Sequence, residues 1–197
     1  MIKIGIFGGS FNPIHNGHIN LAKSAFKALK LDKMLIIPTP APPHKQRANV
    51  TFSNRIEMCK IAFSDEKNFE VSDIERHLGA KSYTIETVRA LKARYPKDAV
   101  FYLIIGQDML FSFRKWYRYE ALLGECKVVA AARENDSYAD MIEAAVTIGR
   151  IKVLNLPVTE VSSTEIRRKL SSGEDISGLV PDEILSFIKE KGLYPNE

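Results

Sequence analysis

Short apolar runs alternate along the chain with longer segments whose apolar residues recur every three or four positions. Ile2 to Phe7 predicts a buried strand ending in Gly8-Gly9, after which Ile19, Ala22, Phe26 and Leu29 fall on one helical face. Met34 to Ile37 predicts a second strand, closed by Pro38 and Pro40. The stretch from Pro38 to Asn49 holds four prolines and little periodicity, which predicts a long loop. Ser53 is placed to cap a helix carrying Ile56, Cys59 and Phe63, and Phe69 to Val71 predicts a short strand. Ser82 to Tyr95 reads as helix, with Ile85, Val88, Leu91 and Tyr95 on one face and Pro96 as its stop. Val100 to Ile105, Val128 to Ala132 and Ile151 to Leu154 predict three further strands, and a helix around Tyr138 to Val146 separates the last two. Ser162 opens a short helix, and Pro181 opens a last one running to Lys191 before Gly192. The predicted helices show no clear interface stripe.

Strands that alternate with helices, and that are apolar throughout rather than at every second position, indicate a parallel sheet covered on both faces. The expected fold class is therefore α/β, a doubly wound parallel sheet. One domain spanning 1–197 is expected, with a small C-terminal helical appendage. Ligands of such sheets sit beyond the carboxyl ends of the strands, near the point where strand order reverses. The loops after Phe7, Ile37, Ile105 and Ala132 are the places to look for chemistry.

Composition narrows the classes. A chain of 197 residues, 45% of them hydrophobic, can bury roughly 70% of its extended surface without a metal or disulfide staple. Its longest apolar run, Ala99 to Ile105, is far short of the about 20 residues that a membrane helix needs. The opening Met1-Ile2-Lys3-Ile4 is too short an apolar stretch for a secretory signal. Cys59 and Cys126 build neither a disulfide framework nor a C-x-x-C pair, and read as small buried residues in a reducing cytoplasm. The formal charge of +4 (28 basic against 24 acidic residues) forms no stripe with interleaved aromatics; only Arg114 to Arg118 and Arg167 to Lys169 are locally basic. Small phosphorylated ligands are expected, with neither a nucleic acid nor a membrane as partner.

The first strand-to-helix turn carries the densest chemistry: Gly8-Gly9-Ser10-Phe11-Asn12-Pro13-Ile14-His15-Asn16-Gly17-His18. It is not the dinucleotide fingerprint, because the second strand ends Ile37-Pro38-Thr39 without a carboxylate for a ribose, and no Walker triplet exists. Paired histidines could suggest zinc. H-x-x-H lacks the spacing and glutamate of H-E-x-x-H, so no metal site is expected. Gly8 and Gly9 would let a phosphate chain approach the backbone, and a helix N-terminus supplies free N–H groups with partial positive charge. His15 and His18 lie on one face of a helical turn, where the helix dipole opposes protonation and suits His18 to act as a neutral donor. Such donors match the oxygens of a phosphorus atom undergoing displacement. A second cluster, Val161-Ser162-Ser163-Thr164-Glu165-Ile166-Arg167, contains a capping box at Ser162 and Glu165, followed by Arg167 and Arg168. Hydroxyls at a helix N-terminus with arginine behind them suit triphosphate oxygens, although a capped surface helix would account for the first two residues.

The Gly8-to-His18 turn resembles the signature of the H-x-G-H nucleotidyltransferase superfamily, and the chain resembles its bacterial nicotinate-nucleotide adenylyltransferase family. Members commonly carry threonine at the Ser10 position and aspartate at the Asn12 position. The resemblance implies a Rossmann-like fold and adenylyl transfer from ATP to nicotinate mononucleotide, with Mg²⁺ as cofactor. It implies ATP contacts at Gly8, Gly9, Ser10, Phe11, His18, Asp108, Ser163, Thr164 and Arg167, and catalytic roles for His15, His18, Lys45 and Arg167. It places the pyridine nucleotide against Lys45 in the Pro40-Ala41-Pro42-Pro43-His44-Lys45 stretch, Ser82-Tyr83-Thr84, Asp108 and Met109 after Gly106, Trp116, and Arg133. Each has a plainer reading: a solvated lysine or arginine, an N-cap at Ser82 or Asp108, a packing tryptophan. The close from Leu179-Val180-Pro181 to Gly192-Leu193-Tyr194 resembles the family's and reads as structural. Rival readings are a sister enzyme such as a pantetheine-phosphate adenylyltransferase, or a nucleotide sensor without catalysis. Oligomeric state is open, a homodimer included.

Overall fold

Each of the six apolar runs becomes a strand in the computed structural model, which describes residues 1–40, 50–79, 82–132, 137–156 and 161–195. They are β1 (Lys3–Gly9), β2 (Lys33–Pro38), β3 (Phe69–Val71), β4 (Val100–Gly106), β5 (Lys127–Ala132) and β6 (Ile151–Asn155). All neighbours pair in parallel, in the order β3-β2-β1-β4-β5-β6. The chain lays β2 and β3 to one side of β1 and then returns to lay β4 on the other. The reversal therefore falls between β1 and β4, where a ligand crevice opens in this topology. Pairing of Phe7 with Ile104 and of Gly9 with Pro38 brings the carboxyl ends of the three central strands level.

Eight α-helices cover the sheet among the described residues: α1 (Asn16–Leu29), α2 (Phe52–Ala62), α3 (Thr84–Lys92), α4 (Gln107–Ser112), α5 (Tyr119–Glu125), α6 (Tyr138–Ile148), α7 (Ser163–Ser171) and α8 (Asp182–Glu190). Alternate residues of each central strand feed opposite layers. Phe7, Ile36 and Ile104 pack with Ala22, Met58 and Ile184 on one side. Ile6, Leu35 and Leu103 pack with Val88, Leu122 and Met141 on the other. Burial on both faces is why these strands read as unbroken apolar runs. The C-terminal segment closes over the first layer, with Ile188, Leu193 and Tyr194 in its core.

Several local expectations change. Helix α2 is capped by Thr51 rather than Ser53: the Thr51 hydroxyl accepts from the Asn54 N–H while the Asn54 carboxamide accepts from the Thr51 N–H, each at 3.1 Å. Asparagine thus completes a reciprocal box in the place where glutamate is usually sought. Helices α4 and α5 went unpredicted because six and seven residues are too few to display a period. Helix α6 leaves Tyr138, Ile142 and Val146 exposed four residues apart, an apolar stripe not evident at the sequence level. Cys59 and Cys126 are buried free thiols, as expected, and burial pushes the Cys126 thiol up to about 12. No helix among the described residues is long and apolar enough to cross a membrane.

Candidate active site

Between β1 and α1 the backbone bends sharply. Phe11 sits at φ 43°, in the left-handed region that a bulky side chain rarely occupies, with its ring fully buried. A Cβ at Gly9 would stand 3.1 Å from Phe11 Cζ. The missing side chain at Gly9 makes room for that ring, a packing reason for glycine there beside the expected approach of phosphate. Gly8 is exposed, and its backbone remains open to a ligand.

His15 is the N-cap of α1 and is buried. Its Nδ1 accepts the His18 N–H at 3.3 Å, which leaves Nε2 to carry the ring proton of the neutral imidazole. The rings of His15 and His18 stack with centroids 3.6 Å apart, and Phe11 stands edge-on to His18 at 5.1 Å. Phe7 closes another side at 6.2 Å. Three rings therefore fix the plane of the half-buried His18 imidazole.

The second cluster meets this turn directly. The Ser163 hydroxyl donates to the Pro13 carbonyl at 2.9 Å. Arg167 donates from Nη1 to the Asn12 carbonyl at 2.7 Å and from Nη2 to Thr164 Oγ1 at 3.1 Å. Segments about 150 residues apart in sequence thus form one wall, with the N-termini of α1 and α7 beside it. Ser162 caps α7 by accepting the Glu165 N–H at 3.1 Å. Arg168 turns outward to Glu174 at 2.6 Å, and that guanidinium hydrogen bond holds the Glu174 carboxyl at about 2. Asn12 also has a task of its own: its Oδ1 accepts from the Tyr194 hydroxyl at 2.6 Å. Burial holds that phenol well above its ordinary pKa, so it remains a donor.

The opposite wall, on the side of α3, is looser. Glu75, buried in the turn Ile74–His77, accepts from Ser82 Oγ and Thr87 Oγ1, each at 2.9 Å. Ser82 therefore braces a buried carboxylate instead of capping α3. Burial raises the Glu75 pKa, with the two hydroxyls acting in the opposite sense. Thr84 is the first residue of α3 and is half-buried. Tyr83 and Tyr117, both exposed, pair at 4.3 Å. Trp116 is half-buried and packs at 5.0 Å against buried Phe113. Asp108 stands exposed in the first turn of α4, just past β4; it caps nothing, and its carboxylate makes no hydrogen bond among the described residues. Met109 beside it is 48% exposed. Lys45 and Arg133 lie outside the described residues.

Sequence reasoning missed Arg55, which is only 4% exposed and donates to the Ser10 and Pro40 carbonyls at 2.6 and 2.8 Å. A usable signal existed: Arg55, Met58 and Cys59 share the buried face of α2, so an arginine occupies a core position. Asn16 was also passed over; its side chain and N–H donate to the Gly178 and Leu179 carbonyls at 2.7 and 2.9 Å. Across the whole site, the cradle side presents helix N-termini, hydroxyls, imidazoles and a guanidinium. These are donors suited to phosphate oxygens. The α3 side presents aromatic faces and one open carboxylate, which suit a ring and sugar hydroxyls.

Comparison with known proteins yields three findings. A family described as Cytidylyltransferase-like matches residues 6–169. A protein of Exiguobacterium sibiricum, named as a probable nicotinate-nucleotide adenylyltransferase, is 40% identical over 98% of this chain and 99% of its own length. One of the same name from Clostridium tetani is 39% identical over 98% of this chain and all of its own. In fold, the chain is similar to the Plasmodium falciparum nicotinic acid mononucleotide adenylyltransferase complexed with NaAD. That likeness has a TM-score of 0.84 at 19% identity, covering 100% of this chain and 99% of the other.

Proposed function

The chain belongs to the Cytidylyltransferase-like family and, within it, to the nicotinate-nucleotide adenylyltransferases, and we infer that it transfers the adenylyl group of ATP to nicotinate mononucleotide in NAD biosynthesis. A phosphate oxygen of the mononucleotide attacks the α-phosphorus of ATP in line. The bond to the β-phosphate oxygen breaks, pyrophosphate leaves with the electron pair, and nicotinate adenine dinucleotide remains. The attacking phosphate is already anionic at neutral pH, so no protein base is required.

In this reading His15 and His18 donate to the α-phosphate oxygens as charge builds there. Thr164, Arg167 and the N-terminus of α7 hold the triphosphate, and the backbone at Gly8 and Ser10 lines its path. Tyr83, Met109 and Trp116 border the pyridine ring, while Asp108 accepts from ribose hydroxyls. Lys45 and Arg133 are proposed to add positive charge at the phosphates. The cradle consists of donors, which bind phosphate oxygens rather than a cation. Mg²⁺ therefore fits as an ion carried by the triphosphate, where it screens charge. The buried free thiols support a cytoplasmic setting.

The observation that carries the reading is the direct joining of the two motif segments through Ser163–Pro13 and Arg167–Asn12, at the carboxyl end of β1. It is tested by pyrophosphate release with MgATP, run in parallel with nicotinate and nicotinamide mononucleotide. Release with the acid and little with the amide is expected. Release with neither, despite ATP binding, would contradict the assignment.

A further inference from the structure

We propose that Arg55 is a positioning residue for adenylyl transfer, one that pins the Ser10–Phe11 peptide to the end of β2 and so sets the phosphate cradle's geometry. The proposal rests on the functional reading above for the reaction concerned, but not for the contact itself.

Phe11 holds a left-handed backbone conformation that its side chain disfavours, so neighbouring contacts must over-determine it. The peptide on its N-terminal side is held by Arg55: Nη1 donates to the Ser10 carbonyl at 2.6 Å. A trans peptide directs its N–H opposite to its carbonyl. Fixing the Ser10 oxygen toward α2 therefore fixes the Phe11 N–H toward the other side of the loop. The second guanidinium arm reaches the Pro40 carbonyl at 2.8 Å, just past β2. One planar fork thus links the loops that follow two adjacent strands, a geometry that lysine cannot reproduce with a single nitrogen.

The setting of the charge is also unusual. Arg55 is buried on a face shared with Met58 and Cys59, and its guanidinium lies 5.3 Å from the centre of the Phe52 ring. Among the described residues no carboxylate pairs with it; the first-named partners are both neutral carbonyls. Burial lowers its pKa from the ordinary arginine value, as an uncompensated cation requires. Such a charge beneath a cradle adds to the potential that favours an incoming polyphosphate.

Arg55→Lys and Arg55→Met separate the geometric contribution from the electrostatic one. Pyrophosphate release is measured with MgATP and nicotinate mononucleotide, together with thermal melting and the amide resonances of Gly9 to Ile14. For Arg55→Lys we expect a folded protein whose kcat falls about 10- to 100-fold while KM for the mononucleotide stays within about 3-fold, with the Phe11 and Ile14 amides shifted. Arg55→Met should lose more kcat, and added guanidinium should recover part of it. A folded Arg55→Lys with wild-type kcat and unshifted loop amides would overturn the proposal. So would a lowered melting temperature with kcat unchanged, which is the mark of a purely structural arginine. If wild-type protein released no pyrophosphate with any mononucleotide, the functional reading would fail, and the amide shifts would still decide whether Arg55 sets the loop.

Discussion

The two walls of the crevice are built to different standards. On the cradle side most of the polar side chains are held by other parts of the molecule: Arg55 grips the Ser10 and Pro40 carbonyls, Arg167 the Asn12 carbonyl and Ser163 the Pro13 carbonyl, while Tyr194 grips the Asn12 side chain. On the α3 side the surfaces that would face a ring, Tyr83, Tyr117 and Met109, stand exposed, and the anchoring lies one layer behind in Glu75. Under the proposed function, rigidity falls where charge would change during displacement, and adaptability where a ring would only have to be held. Interactions made in the transition state alone raise kcat, whereas uniform binding lowers KM, so the two walls should separate in kinetics.

The largest effect is expected at His18. His18→Ala should lower kcat by about 10²- to 10³-fold, the usual loss of one preorganised donor, with little change in melting temperature. Near-normal turnover would erase the distinction between the walls. Arg167→Ala should lower kcat/KM for ATP by about 10- to 100-fold, the scale of one charge-assisted contact, and should also loosen the loop through Asn12.

Glu75→Gln sharpens the comparison from the other wall. KM for the mononucleotide should rise a few-fold with kcat nearly unchanged, because the segment Ser82 to Thr84 loses a brace and the cradle does not. A pH signature accompanies it. Glu75 has a raised pKa in the folded state, so it contributes stability below the ordinary glutamate value and loses that contribution as pH rises through the raised one. Melting from pH 4 to 7 should therefore show a fall in wild type, relative to Glu75→Gln. The smallest effect is expected at Glu174, whose carboxyl is held at about 2 by Arg168 on the open surface. Glu174→Gln should leave both kcat and KM unchanged, since that pair faces away from both walls.

What was legible in the sequence follows the same division. Unbroken apolar runs such as Met34 to Ile37 announced the parallel sheet, because burial on both faces leaves no alternation. The glycine-histidine turn announced the cradle, because few other settings call for those residues at that spacing. Arg55 stayed hidden because an arginine in a helix reads as solvated until its face is known to be buried. The Thr51 cap stayed hidden because Asn54 fills the place where glutamate is expected. The α3 wall was legible only through family resemblance. Pairs such as Tyr83 with Tyr117 join distant segments, and no local periodicity marks them.

The most direct test of the account is a crystal structure with a non-hydrolysable ATP analogue bound. It should show the α-phosphate within about 3 Å of the His18 ring nitrogen, with the triphosphate running between the Gly8 to Phe11 turn and the Thr164 and Arg167 side chains. A triphosphate lying clear of both segments, with the nucleotide bound elsewhere on the sheet, would contradict it.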